Sequence, residues 1–161
     1  MPDQAGRVAA ALLDDLAVGP VAAVVHSSGG YVATALAEQR PDPVTSLTLI
    51  STGPSPDALR SQPFILRILL GPPLGPLIWS RRSNEMIRKG LSATAVRPID
   101  ISEALATELR GTMYRAFRMV MRANDAYVTD RSVPDRLAAL GVPLLVIFGA
   151  ADPRWEPVLA H

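Results

Sequence analysis

In the run Val21-Ala22-Ala23-Val24-Val25-His26-Ser27-Ser28-Gly29-Gly30, an apolar stretch turns within four residues into a corner of serine and glycine that opens an alanine-rich helix. A hydroxyl at the tip of such a strand-turn-helix stands at the carboxyl edge of a parallel sheet. There the backbone N–H groups of the new helix can stabilise a negative oxygen. The chemistry open to this corner is nucleophilic attack by a serine oxygen. Asp152 follows a second apolar run, Leu144-Leu145-Val146-Ile147-Phe148, by way of Gly149-Ala150-Ala151. A carboxylate at the end of a neighbouring strand can hold the Nδ1–H of a histidine and stabilise its imidazolium. The two histidines of the chain are His26 and His161.

These residues need a sheet with helices around it. Gln4 to Leu16 carries Val8, Leu12, Leu13 and Leu16 at helical spacing and stops at Gly19-Pro20. Val21 to Val25 reads as a short strand covered on both faces. Gly30 to Gln39 reads as a helix ended by Pro41-Asp42-Pro43, and Val44 to Ile50 as a strand closed by Gly53-Pro54-Ser55-Pro56. From Asp57 to about Ala126 the periodicity is helical but interrupted: Pro63 to Leu70, Leu77 to Lys89, Ile101 to Met121 in one or two pieces, and a short stretch before Asp130. Ser132-Val133-Pro134-Asp135 starts a last helix, stopped by Gly141, and Pro143 to Phe148 is a third strand. Alternation of this kind predicts an α/β fold with a parallel sheet of three strands, interrupted by a helical insertion. The expected organisation is one domain overall, with core at 1–56, insertion at 57–130 and core again at 131–161.

Composition narrows the partners. The chain has 161 residues, 48% of them hydrophobic, enough to bury a sizeable core. Sixteen Lys and Arg nearly balance fifteen Asp and Glu, and no basic cluster is interleaved with aromatics, so nucleic acid is not an expected partner. Without cysteine there is no disulfide, thiolate nucleophile or cysteine metal site, which fits a reducing compartment. The start, Met1-Pro2-Asp3-Gln4, lacks the basic-then-apolar order of a signal peptide. Phe64 to Trp79 is interrupted by Arg67, Gly71-Pro72-Pro73 and Gly75-Pro76, so no membrane span is expected. The expectation is a soluble, cytoplasmic protein with no metal or organic cofactor, because no ligand cluster or phosphate-cradling loop is present.

His26-Ser27-Ser28-Gly29-Gly30 resembles the nucleophile elbow of the α/β-hydrolase superfamily, written G-x-S-x-G and often G-H-S-x-G-G. The resemblance implies Ser27 as catalytic nucleophile and the backbone of Ser28 as one oxyanion donor. Gly29 and Gly30 would let the helix pack closely on the strand. A frame shifted by one would make Ser28 the nucleophile. Val25 stands where the family has glycine, and a β-branched residue there crowds the turn. Gly149-Ala150-Ala151-Asp152-Pro153 is similar to the segment that delivers the family's catalytic acid, which implies Asp152 in that role. Outside that role, Asp152 is a turn or capping aspartate. The end of the second strand, Ile50-Ser51-Thr52-Gly53, offers no competing carboxylate.

The family's order is serine, acid, histidine, with the base well past the acid. His26 precedes Ser27 and, by strand alternation, faces away from it, which makes it a packing residue of the elbow. His161 stands nine residues beyond Asp152 with no strand between. No residue is therefore expected to serve as base. The resemblance covers nearly the whole chain but only the middle of the family fold, without its first strands and its histidine segment. Trp79, Met86, Met113, Tyr114, Phe117, Met119 and Met121 would line an apolar cleft or pack the inserted helices on one another.

The resemblance implies hydrolysis of an ester or related acyl bond in a small apolar substrate through an acyl-serine, with little or no activity in this chain alone. The serine argues against the epoxide and haloalkane branches of the family, which use aspartate. Two other expectations stand beside it: a non-catalytic binding or interaction module of the same fold, and a part completed by a partner chain. Three strands without neighbours leave unpaired edges, which predicts self-association.

Overall fold

A computed structural model describes residues 1–60 and 71–156. Helix α1, Pro2–Asp15, leads into strand β1, Val21–His26; α2, Gly29–Gln39, leads into β2, Val44–Ile50. A short 3-10 turn at Pro56–Ala58 follows, then α3, Leu74–Ser80, α4, Asn84–Ser92, α5, Glu103–Gly111, α6, Tyr114–Asp130, α7, Val133–Ala138, and β3, Leu144–Ile147.

The three strands form one parallel sheet in the order β1-β2-β3. Val25 pairs with Leu49 and Leu49 with Val146, while His26 pairs with Ile50 and Ile50 with Ile147. This register brings all three carboxyl ends to one edge. The fold class expected from the sequence is the one the structure has.

One face of the sheet carries the core. Ala23 and Val25 of β1 pack against a cluster that includes Leu47, Leu49, Tyr31, Leu36, Tyr127, Val128, Val133 and Leu137. Helices α1 and α2 pack on each other, and α7 packs on α2. The other face is open: Ala22, Val24 and His26 are exposed along β1, and so is all of β3. A strand with no cover on one face cannot bury alternate side chains, so the valine-rich pattern that predicts two covered faces for β1 holds for one. His26 is exposed on that open face, which corrects the packing role expected of it.

A polar clasp ties the end of α6 to α2 and α7. Arg136 is 8% exposed and lies 3.9 Å over the Tyr127 ring, donating to Glu38 at 3.1 Å and to Asp130 at 2.7 Å. Tyr127 donates to the same Glu38 carboxylate at 3.0 Å, and Arg131 pairs with it as well. Burying this guanidinium is tolerable because two carboxylates and a ring face satisfy it.

Leu77 to Lys89, expected as one helix, falls in two, α3 and α4. Arg82 leaves the helical path, lies 3.6 Å over the Trp79 ring and donates to the carbonyls of Leu109, Arg110 and Thr112 at 2.9, 2.8 and 2.7 Å. Those carbonyls stand at the end of α5, where the helical pattern leaves acceptor capacity for a side chain. Ser83 then caps α4 by accepting from Met86 N–H. The stretch Ile101 to Met121 is also two helices, and its second part runs on to Asp130. The helix expected at Pro63 to Leu70 lies outside the described residues.

Candidate active site at the carboxyl edge of the sheet

The corner after β1 is built around Ser27, whose φ of 54° lies in the left-handed region. For a residue with a Cβ this conformation is costly, so the surroundings must hold it. Three bonds do so. The Ser27 N–H donates to the Ile50 carbonyl at 2.9 Å, and the Ser27 carbonyl accepts from Gly30 N–H at 3.0 Å and from the Thr52 hydroxyl at 2.9 Å. The Ser27 hydroxyl itself meets no hydrogen-bond partner among the described residues.

Ser28 occupies the N-cap position of α2 with φ −59° and ψ −22° and no side-chain capping bond, and its own N–H meets no acceptor among the described residues. The start of a helix leaves such donors free, and here the free donor directly follows the serine. The Ser28 hydroxyl is engaged: Asn124 of α6, 8% exposed, donates to it at 2.9 Å. This bond uses up an acceptor position on Ser28 and links α6 to the turn after β1.

Val25 causes no clash. A methyl placed on Gly29 would stand 3.6 Å from the Val25 Cβ, an ordinary van der Waals separation. The β-branched residue fits because the position facing it carries no side chain.

Asp152 lies beyond β3 and is half-buried. Its Oδ1 accepts from the N–H groups of Arg154 and Trp155 at 2.8 and 3.1 Å, which is a turn aspartate's work. These bonds fix the carboxylate's orientation, while Oδ2 meets no partner among the described residues. Together with Ser51, Thr94, Val96, Arg97 and Pro153, Asp152 lines an open cleft of about 560 Å³. The indole of Trp155 fills the space above Gly53, where any side chain would overlap it, so the Asp152 turn is pressed onto the loop that follows β2.

Because β2 lies between β1 and β3, Ser27 and Asp152 follow strands two spacings apart, roughly 9–10 Å. No hydrogen bond joins the two among the described residues. Cooperation between the two would need a third group bridging them. Among the described residues the one histidine is His26, on the open sheet face; His161 lies outside them. The described residues also hold no cluster of three or more His, Cys, Asp or Glu able to ligate a metal, and none of their helices is long and apolar enough to cross a membrane.

Asn124 and Thr52 are site neighbours that the sequence reading missed. Asn124 stands on the stripe of α6 that also buries Tyr127 and Val128, and a polar side chain on an otherwise apolar stripe is the signal that could have found it. Ser51 is a third: its φ of 48° repeats the Ser27 conformation one strand over, with its N–H bonded to the Ile147 carbonyl at 2.9 Å.

The comparisons with known proteins agree with this architecture. Residues 2–71 match the family model for the alpha/beta hydrolase fold. Lipase LipV of Mycobacterium tuberculosis is 43% identical over 63 residues, which is 39% of this chain and 24% of that protein. Among solved structures, the N-acyl homoserine lactonase AidH complexed with N-butanoyl homoserine aligns over 98% of this chain with a TM-score of 0.69 and 16% identity. Cfl2 from Burkholderia cenocepacia aligns over 90% with a TM-score of 0.66 and 24% identity. The chain spans 57% and 54% of those two proteins, little more than half their length. Residues 2–71 thus match the alpha/beta hydrolase fold by sequence, and nearly the whole chain shares the fold of these structures.

Proposed function

We propose that this chain carries the nucleophile of a serine hydrolase acting on ester or related acyl bonds in small apolar substrates. The observation that carries the reading is Ser27 itself, held in a left-handed turn between β1 and α2, its hydroxyl and the N–H of the next residue both without a partner among the described residues. In the proposed reaction Ser27 Oγ bonds to the acyl carbon, the carbonyl oxygen becomes an oxyanion that accepts from Ser28 N–H, and the leaving alcohol departs with a proton. Water then releases the acid from the acyl-serine. The proton on Ser27 goes to a general base that Asp152 orients. A lipase and a lactonase among the similar proteins support the acyl class.

None of the described residues is placed as that base, so the chain alone turns over esters slowly or not at all. General-base help and a complete oxyanion hole each contribute orders of magnitude. The cysteine-free composition supports a cytoplasmic setting.

The test is labelling with a fluorophosphonate, followed by mass mapping of the modified residue. Slow stoichiometric labelling of Ser27, lost in Ser27→Ala and kept in Ser28→Ala, is the expected result. Labelling lost only in Ser28→Ala would move the nucleophile by one residue. Rapid turnover of a p-nitrophenyl ester, abolished by Ser27→Ala, would sink the proposal of low activity.

The open sheet face supports a second reading. Val24, Leu145 and Ile147 stand exposed on it beside two strand edges with no neighbour among the described residues, as in an interaction module or a part that a partner chain completes. Chains that label at Ser27 only in the presence of a partner would favour the latter.

A further inference from the structure

The insertion carries a charge that the core does not. Residues 57–130 hold eleven Lys and Arg against seven Asp and Glu, whereas residues 1–56 hold two against five. Part of this excess gathers at one place. Arg115, Arg118 and Arg122 of α6 line an open cleft of about 530 Å³ together with Pro72, Tyr114, Met119 and Ala123. Their spacing of three and four residues puts the three guanidiniums side by side on one helix face, turned away from the face that buries Asn124, Tyr127 and Val128. None of the three joins an ion pair among the described residues, although Arg88, Arg131 and Arg136 elsewhere in the fold do. Like charges at this spacing repel and give the helix nothing by themselves.

We infer that this cleft binds a small organic anion, a carboxylate carried on an apolar chain. Guanidinium groups present paired donors that match the two oxygens of a carboxylate, and neighbouring forks can hold one such group from two sides. Met119, Ala123 and Pro72 supply apolar wall for the attached chain, and Met is well suited to an irregular tail. The volume lies within the roughly 300–1,000 Å³ of small-molecule sites. The site lies on the outer face of α6 and is independent of the serine chemistry.

The test uses the full chain and octanoate in isothermal titration calorimetry, with octanamide and inorganic phosphate as controls. Octanoate binding one to one, weakened as salt rises, and far tighter than octanamide or phosphate, is the expected outcome. Trp79 reports on the same cleft, since it stacks on Phe117 at 4.7 Å and meets Tyr114 edge-on at 5.8 Å; its fluorescence should saturate with the calorimetric curve. Arg118→Gln should weaken octanoate about tenfold or more, the triple change of Arg115, Arg118 and Arg122 to Gln should abolish binding, and Ser27→Ala should leave it unchanged. Equal binding of octanamide or phosphate overturns the inference, as does unchanged affinity in the triple variant. A lipid headgroup as the source of the anion is tested with vesicles of phosphatidylcholine with and without phosphatidylglycerol. Sedimentation with the anionic vesicles in the absence of octanoate binding overturns the small-molecule assignment.

Discussion

Gly30 and Thr52 occupy one another's space. A methyl on Gly30 would stand 2.7 Å from the Thr52 Cβ and closer still to its Oγ1 and Cγ2, while the Thr52 hydroxyl donates to the Ser27 carbonyl at 2.9 Å. Thr52 is 2% exposed and has nowhere to retreat. The glycine of the elbow is thus required by the loop after β2, and that loop in turn holds the serine's backbone.

Replacing Gly30 by Ala should therefore cost about 1–3 kcal/mol as overpacking. The same replacement in a Thr52→Gly background should cost less, because the obstructing atoms are gone. Urea unfolding of the four proteins in the cycle measures the coupling. Additive losses would show that the two residues do not compete for space.

Substitution can separate the turn-shaping contacts of Asp152 from the catalytic role proposed for it. Its Oδ1 accepts from two backbone N–H groups and so shapes the turn that seats Trp155 over Gly53. Asp152→Asn keeps an oxygen able to accept both, so unfolding stability should stay within about 0.5 kcal/mol of the parent. Asp152→Ala leaves the donors unpaired and should cost about 1–3 kcal/mol, with a red shift in Trp155 fluorescence. Any ester hydrolysis that depends on the carboxylate's charge should fall equally in both variants. A large stability loss in Asp152→Asn would mean that the charge, not the acceptor, holds the turn.

The strands and the turn between β1 and α2 were legible because they are local. Val21 to Val25 and Leu144 to Phe148 are apolar runs bounded by Gly and Pro, and Ser27-Ser28-Gly29-Gly30 is punctuation between a strand and a helix. The break at Arg82 was not legible, since that residue leaves the helix to satisfy carbonyls more than 25 positions later. Asn124 and Thr52 were hidden for the same reason: their partners lie 96 and 25 residues away, and no spacing rule reaches across such gaps. The open face of β1 was misread because a valine run looks alike whether one face or two are covered.

Tyr31 should make the fold sensitive to alkali. The ring is 5% exposed, and burial pushes the phenol from its ordinary 10.0 up to about 12, with Arg154 pulling it down and Asp125 pushing it up to smaller extents. Between those two values the folded chain keeps a proton that the unfolded chain has released. Stability is then complete below about pH 10 and falls as pH rises towards 12. Urea midpoints across this window should drop more steeply for the parent than for Tyr31→Phe. Parallel curves would exclude Tyr31 as a source of the loss.

The exposed sheet face should drive association between copies. Val24 is 66% and Leu145 55% exposed, on strands whose outer edges have no neighbour among the described residues. Apolar side chains beside open N–H and C=O rows are a template for another strand, and natural edges are commonly blunted by lysine. β1 and β3 carry no lysine, and the one charged or titratable residue on either is His26. Light scattering over a range of concentrations should therefore show a mass that grows with concentration. Val24→Lys with Leu145→Lys should reduce that growth while leaving the circular dichroism unchanged, since both side chains lie outside the core cluster. A single mass at all concentrations, or growth unchanged by the two lysines, would remove the sheet face as the contact surface.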